Sequence, residues 1–351
     1  MISLEKKIGQ LVMIGVEGSD PDALSIKKLR TYIQQGLVGG VILFRDNIIS
    51  RAQLIELTTS LREAAPSFMP LFIALDQEGG AVQRLRPEAG FSSFLKAQDV
   101  SSRYTPEEAE VYYDALACEV EESGFNLNFA PVVDLEGVCP VIGGLGRAYH
   151  ANPENVVAYA QAFINAHRKR GVLTCLKHFP GHGLALEDTH QGFVDITTTF
   201  QSKELKPFHA LIHQGYGEMV MMAHVTHQDI DPDWPASLSP HFIGTWLRKD
   251  AQYQGVVVSD DLHMGAIYQN HSLEKIILQG LTAGLDLFIF SNKKAAAPTV
   301  ATFQADPFLP EKVYDFVTHA LETGHLSKTS IECAFDRIYA LKQRLLTMCD
   351  K

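Results

Sequence analysis

The residues best suited to chemistry in this 351-residue chain crowd into fourteen consecutive positions. The stretch reads Lys177-His178-Phe179-Pro180-Gly181-His182-Gly183 and continues, three residues later, with Glu187-Asp188-Thr189-His190. A short apolar run at 172–176 precedes it, with the length and β-branching of a buried strand. Loops that follow strands are where a rigid protein presents reactive groups. The glycines permit sharp turns and Pro180 stiffens one of them, so we interpret the loop as shaped rather than slack.

Asp188 and His190 predict acid/base chemistry. They are two positions apart, so in an extended loop both side chains lie on the same side. Asp188 could then accept a hydrogen bond from one ring nitrogen of His190 and hold the other toward a leaving oxygen. Because histidine titrates near neutral pH, one group can give a proton and then take one from water.

Eight short apolar runs alternate with helix-like stretches, and each has the composition of a strand buried on both faces. The runs are 11–16, 39–44, 71–76, 126–134, 173–178, 219–225, 255–260 and 286–291. Eight strand–helix repeats predict a single-domain (β/α)8 TIM-type barrel, in which one strand is allowed to be irregular. A doubly wound open sheet is the alternative, but no Gly-x-Gly-x-x-Gly turn follows the first run.

Helix start signals lie between the strands. Thr105 as cap and Pro106 at the first helical position open one helix, whose predicted apolar face is Val111, Ala115 and Cys118. A second helix is predicted from Asn152-Pro153 to Lys169-Arg170.

The tail after Leu309 predicts two further helices, at 310–323 and 327–346. About the last forty residues are therefore expected to pack on the barrel as C-terminal helices. No Pro-rich or Ser-rich linker divides the chain, so we interpret residues 1–351 as one domain.

Polar or charged residues stand at the ends of five successive predicted strands. They are Asp76, Asp134, Lys177-His178, His224 and Ser259-Asp260-Asp261. The carboxyl ends of barrel strands all meet at one face, where the active sites of such enzymes lie. The sequence therefore predicts a site there, rich in carboxylates and histidines.

Composition restricts the partners. A formal charge of −11 argues against nucleic acid, and no apolar run is long enough to span a membrane. The N-terminus lacks the pattern of a signal peptide. An odd number of widely spaced cysteines predicts reduced, mostly buried thiols, at Cys118, Cys139, Cys175, Cys333 and Cys349. We expect a cytoplasmic protein that binds neither nucleic acid nor membrane.

Retaining glycoside hydrolysis fits such a site. One carboxylate attacks an acetal carbon while a second group shuttles the proton. Asp260, at the end of the seventh strand, would be the nucleophile. Charged groups make strong hydrogen bonds to sugar hydroxyls, and the candidates are Asp76, Arg84, Arg147, Lys177 and His178.

A zinc site that activates water is the competing chemistry. The metal spacing is poor, because there is no His-Glu-x-x-His and the first strand carries no His-x-His. His178 and His182 are four apart, but in a Gly/Pro loop rather than on a helix. We predict no metal and no cofactor. A non-catalytic sugar-binding barrel stays open as a third interpretation.

Two of the longest motifs are Asp-Gln-Glu-Gly-Gly-Ala-Val-Gln-Arg at 76–84 and Lys-His-Phe-Pro-Gly-His-Gly at 177–183 with Asp188-Thr189-His190. Others occupy 128–134, 141–143, 222–225, 235–239 and 255–262. Together they resemble glycoside hydrolase family 3, specifically its bacterial β-N-acetylglucosaminidases of cell-wall recycling. The stretches follow the family's order from the third strand to the seventh.

The resemblance implies Asp260 as nucleophile, His190 as acid/base and Asp188 as its partner. It implies the same five sugar contacts, and terminal β-linked N-acetylglucosamine on anhydro-muropeptides as substrate. Two-domain β-glucosidases of the family take their acid/base from a second domain, whereas Asp188-x-His190 matches the single-domain branch. A family 3 β-glucosidase or phosphorylase is the alternative, since a histidine acid/base repels phosphate less than a carboxylate does.

Two positions depart from the family pattern. Ala81 stands where the family usually has Arg, and Arg147 is followed by Ala148-Tyr149-His150 instead of Ser-Phe-Gly. Both departures leave the implied catalytic groups intact.

Overall fold

Eight parallel strands form one sheet in the computed structural model, which describes residues 2–186, 194–293 and 303–348. The strands are β1 Val12–Gly15, β2 Gly40–Ile42, β3 Phe72–Leu75, β4 Leu127–Asn128, β5 Leu173–Phe179, β6 Met219–Met222, β7 Val256–Ser259 and β8 Phe288–Phe290. Each lies within its predicted run, except that β5 extends one residue further. Every residue in these strands is buried, as predicted for strands covered on both faces.

The sheet closes on itself almost completely. Its order runs from β7 through β6, β5, β4, β3, β2 and β1 to β8. At the seam between β7 and β8, one bridge joins Val258 to Leu287, and the Ser259 N–H donates to the Leu287 carbonyl at 3.0 Å. The (β/α)8 barrel is confirmed. The open-sheet alternative is wrong because the two end strands meet.

Strand β4 is the irregular one. Only Leu127 and Asn128 pair with both neighbours, although the apolar run continues to residue 134. The Ala130–Pro131 peptide bond is cis, and Pro131 has no N–H to offer a ladder. Beyond it, Val132 makes a single bridge to Lys177, so the chain still follows β5 to the mouth of the barrel.

Eleven α-helices surround the strands in the described residues. They are α1 Leu4–Gln10, α2 Leu24–Gln35, α3 Arg51–Glu63, α4 Ala97–Arg103, α5 Pro106–Glu122, α6 Pro153–Lys169, α7 Leu205–His213, α8 Gly265–Tyr268, α9 Leu273–Ala283, α10 Leu309–Glu322 and α11 Lys328–Met348. A further helix with π-type hydrogen bonding spans His241–Asp250. Each of the described helices is too short or too polar to cross a bilayer.

Short elements complete the described chain. Single 3₁₀ turns occur at Arg45–Asn47, Pro87–Ala89, Ser202–Glu204 and Ala236–Leu238. Two small ladders stand outside the barrel. One is an antiparallel hairpin of Gln77–Gly79 with Val82–Gln83, and the other pairs Val194–Asp195 with Val225–Thr226 in parallel.

The predicted start of α5 is confirmed, but its predicted buried face is wrong. Thr105 and Glu108 form a reciprocal cap, with hydrogen bonds of 3.3 and 2.9 Å. Val111 is 76% exposed. The buried stripe is Ala109, Tyr113, Leu116, Ala117 and Val120. It lies two residues away from the predicted one, which is about half a turn. The Tyr113 ring packs on Phe163 of α6 at 4.8 Å, so the packing partner selected this face.

The predicted second helix matches α6, which Asn152 caps by accepting from the Asn155 N–H at 3.1 Å. The two tail helices match α10 and α11. Among the described cysteines all four are free thiols, but only Cys139 and Cys175 are buried. The expectation of mostly buried thiols therefore holds for two of the four.

Helix α11 covers the N-terminal end of the barrel with three basic side chains. Arg337 pairs with Asp286 at 2.9 Å, and Arg344 with Glu218 at 3.4 Å. Lys342 is fully buried and donates to the Gln10 side chain at 2.6 Å and the Gly39 carbonyl at 2.7 Å. Burial lowers the pKa of Lys342 to about 7. The helix thus seals the end of the barrel opposite to the strand ends that carry the polar groups.

We predict that the difference in free energy of unfolding between the wild type and Lys342→Met depends on pH. The folded pKa of Lys342 is about 7 and its ordinary value is 10.5, so between these values the unfolded chain binds more protons. Stability therefore rises with pH in this window. The free energy of unfolding of the wild type, relative to Lys342→Met, should increase by about 2 kcal/mol from pH 7 to pH 9 in urea titrations. The exposed Lys328→Met is the control, and a flat difference for Lys342→Met would contradict the prediction.

Candidate active site

A cavity of about 640 Å³ opens at the carboxyl ends of the strands. This volume is typical of small-ligand sites. Charged and polar side chains reach it from the ends of β3, β5, β6 and β7, as the sequence predicted, and also from the segment after β8, which the sequence did not predict. Those lining it are Asp76, Glu78, Arg84, Arg147, Lys177, His178, His182, His224, Asp260, Asp261 and Lys293, joined at the rim by Arg45 and Asp46.

Five of these side chains form one continuous ionic network. Asp76 accepts from Arg84 and from Lys177, both at 2.9 Å. Lys177 also contacts Glu78 at 2.8 Å. Glu78 in turn accepts two hydrogen bonds from Arg147, each at 2.8 Å, in the bidentate arrangement that suits a guanidinium. The network joins β3, β5, the hairpin after β3 and the loop that ends at Arg147.

The opposite charges in this network compensate one another for the cost of burial, so the groups stay charged. Burial raises the pKa of Asp76, but Lys177 and Arg84 outweigh it and hold the pKa well below its usual range. Burial likewise acts on Glu78, yet Arg147 and Lys177 lower its pKa to about 2. The pKa of Lys177 is raised, because its two carboxylate partners overcome the effect of burial. The network is therefore fully ionised at neutral pH.

A relay of neutral hydrogen bonds holds the hairpin in place. The Gln77 side-chain oxygen accepts from the Arg84 N–H at 2.8 Å, and the Asn128 side chain bonds both backbone groups of Gln77. His167 of α6 donates from Nδ1 to the Phe163 carbonyl, so its Nε2 accepts from Asn128 at 3.0 Å. Burial lowers the pKa of His167 to about 4, which agrees with a neutral ring. Helix α6 thereby supports the loop that carries Arg84.

The loop after β5 is tightly shaped. The Lys177–His178 peptide bond near the end of β5 and the Phe179–Pro180 bond that follows the strand are both cis, and Gly181 has a φ of 128°. At Gly183 a Cβ would collide with the Leu135 carbonyl oxygen. Pro180 and Gly181 are buried together with the residues around them. The prediction of a shaped loop is confirmed over its described part, up to residue 186.

Asp134 lies beneath this loop instead of lining the cavity. Its side chain is fully buried, and its carboxylate accepts from His178 Nδ1 at 2.7 Å and from the His182 N–H at 2.9 Å. The His178 N–H also points to it, at 3.2 Å from Oδ1. Asp134 was expected at the strand end, but the sequence did not indicate that its role would be to hold the loop.

Two further buried groups contact the loop. His182 Nδ1 lies 3.3 Å from the Cys139 sulfur, and burial lowers the pKa of His182 to about 4. Glu204 accepts from the Leu184 N–H at 3.3 Å, and burial raises the pKa of Glu204 to about 7. Cys139 and Glu204 thus support the loop from outside it.

Asp260 follows β7 and faces the cavity. Its N–H donates to the Met222 carbonyl of β6 at 3.1 Å, and its Oδ1 accepts from the Asp261 N–H at 2.8 Å. The Asp261 carboxylate turns toward the Ser291 and His263 N–H groups, at 2.8 and 3.2 Å. Burial raises the pKa of Asp261 to about 6. Two adjacent carboxylates therefore have different surroundings.

His224 fixes the segment that follows Asp260. A backbone carbonyl can only accept, so His224 Nε2 donates to the Asp261 carbonyl at 3.0 Å. Nδ1 then accepts from the Ser237 hydroxyl at 2.8 Å. These two bonds determine the tautomer and orientation of the ring.

Six of the eight predicted site residues lie in the described part of the chain, and all six line the same cavity: Asp76, Arg84, Arg147, Lys177, His178 and Asp260. Asp188 and His190 fall in 187–193, outside the described residues. Sequence reasoning assigned no role to Glu78, although it lies two positions after Asp76 in an extended segment, where side chains share a side. It also missed Lys293, which no motif marked.

The two departures from the family pattern lie at the edge of the site. Ala81 is exposed at the tip of the hairpin and does not line the cavity. Tyr149 is buried, with its ring stacked on Tyr159 at 5.8 Å. Arg147 keeps its pair with Glu78 beside them.

Within the described residues, no group of three or more His, Cys, Asp or Glu side chains could hold a metal ion. His178 Nδ1 binds Asp134, and both ring nitrogens of His224 have partners.

Comparison with known proteins is consistent with this arrangement. The model of the glycosyl hydrolase family 3 N-terminal domain matches residues 3–341. A Beta-hexosaminidase from Xylella fastidiosa (strain M23) is 40% identical over 288 residues, which cover 80% of this chain and 82% of that protein. A Beta-hexosaminidase from Xanthomonas oryzae pv. oryzae (strain MAFF 311018) is 36% identical over 303 residues, covering 84% and 87%.

Solved structures share the fold. A glycoside hydrolase family 3 beta-N-acetylglucosaminidase from Paenibacillus sp. str. FPU-7 superposes with a TM-score of 0.86 at 31% identity, over 99% of this chain. This chain spans 63% of the length of that protein. A Beta-N-acetylhexosaminidase from Beutenbergia cavernae DSM 12333 gives 0.85 at 28% identity, covering 98% of this chain and 99% of the other. From the extent of the family match and the identity to these relatives, the chain belongs to glycosyl hydrolase family 3 and is a glycoside hydrolase.

Proposed function

We propose that this enzyme is a retaining exo-β-N-acetylhexosaminidase that removes terminal β-linked N-acetylglucosamine. The observation that carries the proposal is the position of Asp260, which faces a cavity whose other walls are an ionised sugar-binding network. The relatives named Beta-hexosaminidase support the same activity.

Asp260 is the nucleophile in this proposal. Its carboxylate attacks the anomeric carbon, the bond to the leaving oxygen breaks, and a covalent glycosyl-aspartate forms. Water then attacks the same carbon and releases Asp260, so two inversions give net retention. The Asp261 N–H hydrogen bond to Oδ1 orients the carboxylate.

The proton is moved by His190 with Asp188 as its partner. His190 protonates the leaving oxygen in the first step and takes a proton from water in the second. Both residues lie outside the described part of the chain, and their roles rest on the spacing of Asp188-x-His190 in the sequence. The described stem of this loop, which ends at residue 186, is anchored by Asp134 and Glu204.

Asp76, Arg84, Lys177, Arg147 and His178 bind the sugar in this proposal. Each ionic group already has a protein partner, but a carboxylate has about four acceptor sites and a guanidinium five donors. The remaining sites are therefore available to hydroxyl and amide groups. Because the network is fixed before the substrate arrives, little reorganisation accompanies binding.

The natural substrates we propose are peptidoglycan fragments in which N-acetylglucosamine is linked to anhydro-N-acetylmuramic acid. This follows from the resemblance of the motifs to cell-wall recycling enzymes. A single-domain, monomeric enzyme located in the cytoplasm belongs to the same proposal.

The direct test compares substrates. The enzyme should hydrolyse an aryl N-acetyl-β-glucosaminide at least about a hundredfold faster, in kcat/KM, than the matching β-glucoside, because an acetamido group that is bound contributes about 3 kcal/mol to discrimination. Both assays are run with and without inorganic phosphate. A preference for the glucoside would overturn the assignment, and sugar 1-phosphate as the main product would replace hydrolysis by phosphorolysis.

Asp260→Ala should lower turnover by at least about a thousandfold, because no covalent intermediate can form. Added azide should then restore activity by attacking the anomeric carbon from the vacated side, and the product should be the α-glycosyl azide. Asp114→Asn, on the outer surface of α5, is the control for folding and expression. Near wild-type turnover of a folded Asp260→Ala enzyme would rule out this nucleophile.

His190→Ala should affect substrates unequally. With a poor leaving group, protonation of the oxygen is essential and kcat/KM should fall by about 10²–10⁴-fold. With an activated nitrophenyl leaving group, which departs without a proton, the loss in the first step should be much smaller. Equal losses over a series of aryl glycosides would show that His190 is not the general acid.

A further inference from the structure

The buried carboxylate of Asp134 has no role in the chemistry proposed above. It is fully enclosed below the cavity floor and cannot touch a substrate. Within the described residues, all the donors it accepts from belong to one short segment, His178 to His182. Of the two side chains in that segment which line the cavity, only the His178 ring is bonded directly to Asp134.

The ionisation of Asp134 follows from these contacts. Burial acts to raise its pKa, but the adjacent histidine rings and the hydrogen bonds from His178 outweigh burial and lower the pKa. An ionised carboxylate can only accept hydrogen bonds. His178 Nδ1 must therefore carry a proton to make the 2.7 Å contact.

The other ring nitrogen of His178 is available to a ligand. Within the described part of the chain, Nε2 of His178 has no hydrogen-bond partner, and the residue lines the cavity. In a neutral ring with its proton on Nδ1, Nε2 offers a lone pair. The neighbouring Lys177 and Arg84 present N–H donors only, so Nε2 adds an acceptor of a different kind to that wall.

We propose that Asp134 is a positioning residue that holds His178 in the Nδ1–H tautomer, so that Nε2 accepts a hydrogen bond from a hydroxyl group of the sugar. This rests on the proposed function for the identity of the ligand. The tautomer itself is a property of the free protein.

Asp134 also determines where the His178 ring stands. The carboxylate binds the His178 ring and the His178 and His182 N–H groups at once, which joins both ends of a five-residue turn to one point. A purely structural anchor would need only the backbone bonds. The additional bond to the ring gives Asp134 control over the direction and protonation of the side chain.

The tautomer can be read in the wild-type protein. Long-range 1H–15N spectra of protein labelled on its histidine rings distinguish protonated from unprotonated ring nitrogens, and His178→Gln identifies the signals that belong to residue 178. At pH 7.5 we expect a protonated Nδ1 and an unprotonated Nε2. A proton on Nε2, whether the ring is neutral or doubly protonated, would overturn the proposal without any Asp134 variant.

Asp134→Asn tests the cause. The amide oxygen can keep the backbone bonds, but the amide nitrogen then faces His178 Nδ1 as a donor. The proton should move to Nε2. The Nε2 signal should then be that of a protonated nitrogen, and the Nδ1 signal that of an unprotonated one. The matched control is Asp231→Asn, a buried carboxylate that accepts from the Asp233 and Trp234 N–H groups and contacts no histidine ring by hydrogen bond. It should leave the His178 signals at their wild-type positions, whereas an unchanged His178 pattern in Asp134→Asn would contradict the assignment.

The consequence for binding is measured with N-acetylglucosamine as a competitive inhibitor. Asp134→Asn should weaken its inhibition constant about tenfold, the effect expected for one lost hydrogen bond. An unchanged constant with an exchanged tautomer would overturn the acceptor role of Nε2. Failure of the proposed function can be told apart from failure of this proposal. If the proposed function is wrong, the wild-type enzyme neither cleaves the N-acetylglucosaminide nor binds the sugar, whereas the His178 tautomer can still be Nδ1–H.

Discussion

The buried chain of alternating charges from Arg84 to Arg147 is the interaction on which the site depends. Taking one ion out of water costs several kcal/mol, and a buried charge is tolerated only where an opposite charge meets it with good geometry. Here every carboxylate has two cationic partners, and Lys177 bridges the two carboxylates. Removing either carboxylate would leave its arginine without that partner, and removing Lys177 would take one partner from each carboxylate. The strand ends, the hairpin and the Arg147 loop are therefore constrained to a single relative placement.

Charged side chains have different roles at the two ends of the barrel. At the N-terminal end, α11 inserts Arg337, Lys342 and Arg344 against groups that lie just before the strands. Those contacts seal this end of the barrel. At the other end the charges line about 640 Å³ of accessible space, where part of their hydrogen-bonding capacity remains for a ligand. Stability and binding are thus separated along the barrel axis, as is usual for this fold.

Below the cavity, neutral and anionic groups orient the residues above them. Asp134 holds the loop after β5, and the relay from His167 through Asn128 to Gln77 holds the hairpin. His224 bonds the backbone after Asp260. Each of these supports connects one strand end to an element distant in sequence. The proposed nucleophile and the proposed sugar contacts consequently share one rigid floor, which is what a site needs if it is to be complementary to a transition state.

The sequence by itself determined those features that depend on residues close together along the chain. Buried strands showed as apolar runs, the start of α5 showed in Thr105 and Pro106, and the site residues showed as polar positions at strand ends. Only the tertiary structure decided what depends on partners far apart. It turned α5 toward Phe163 instead of exposing Tyr113, placed Glu78 between Lys177 and Arg147, and put Asp134 beneath His178. Local patterns state which faces and ends are available, but a buried charge or ring is stable only opposite a specific partner, and that partner is supplied by the fold.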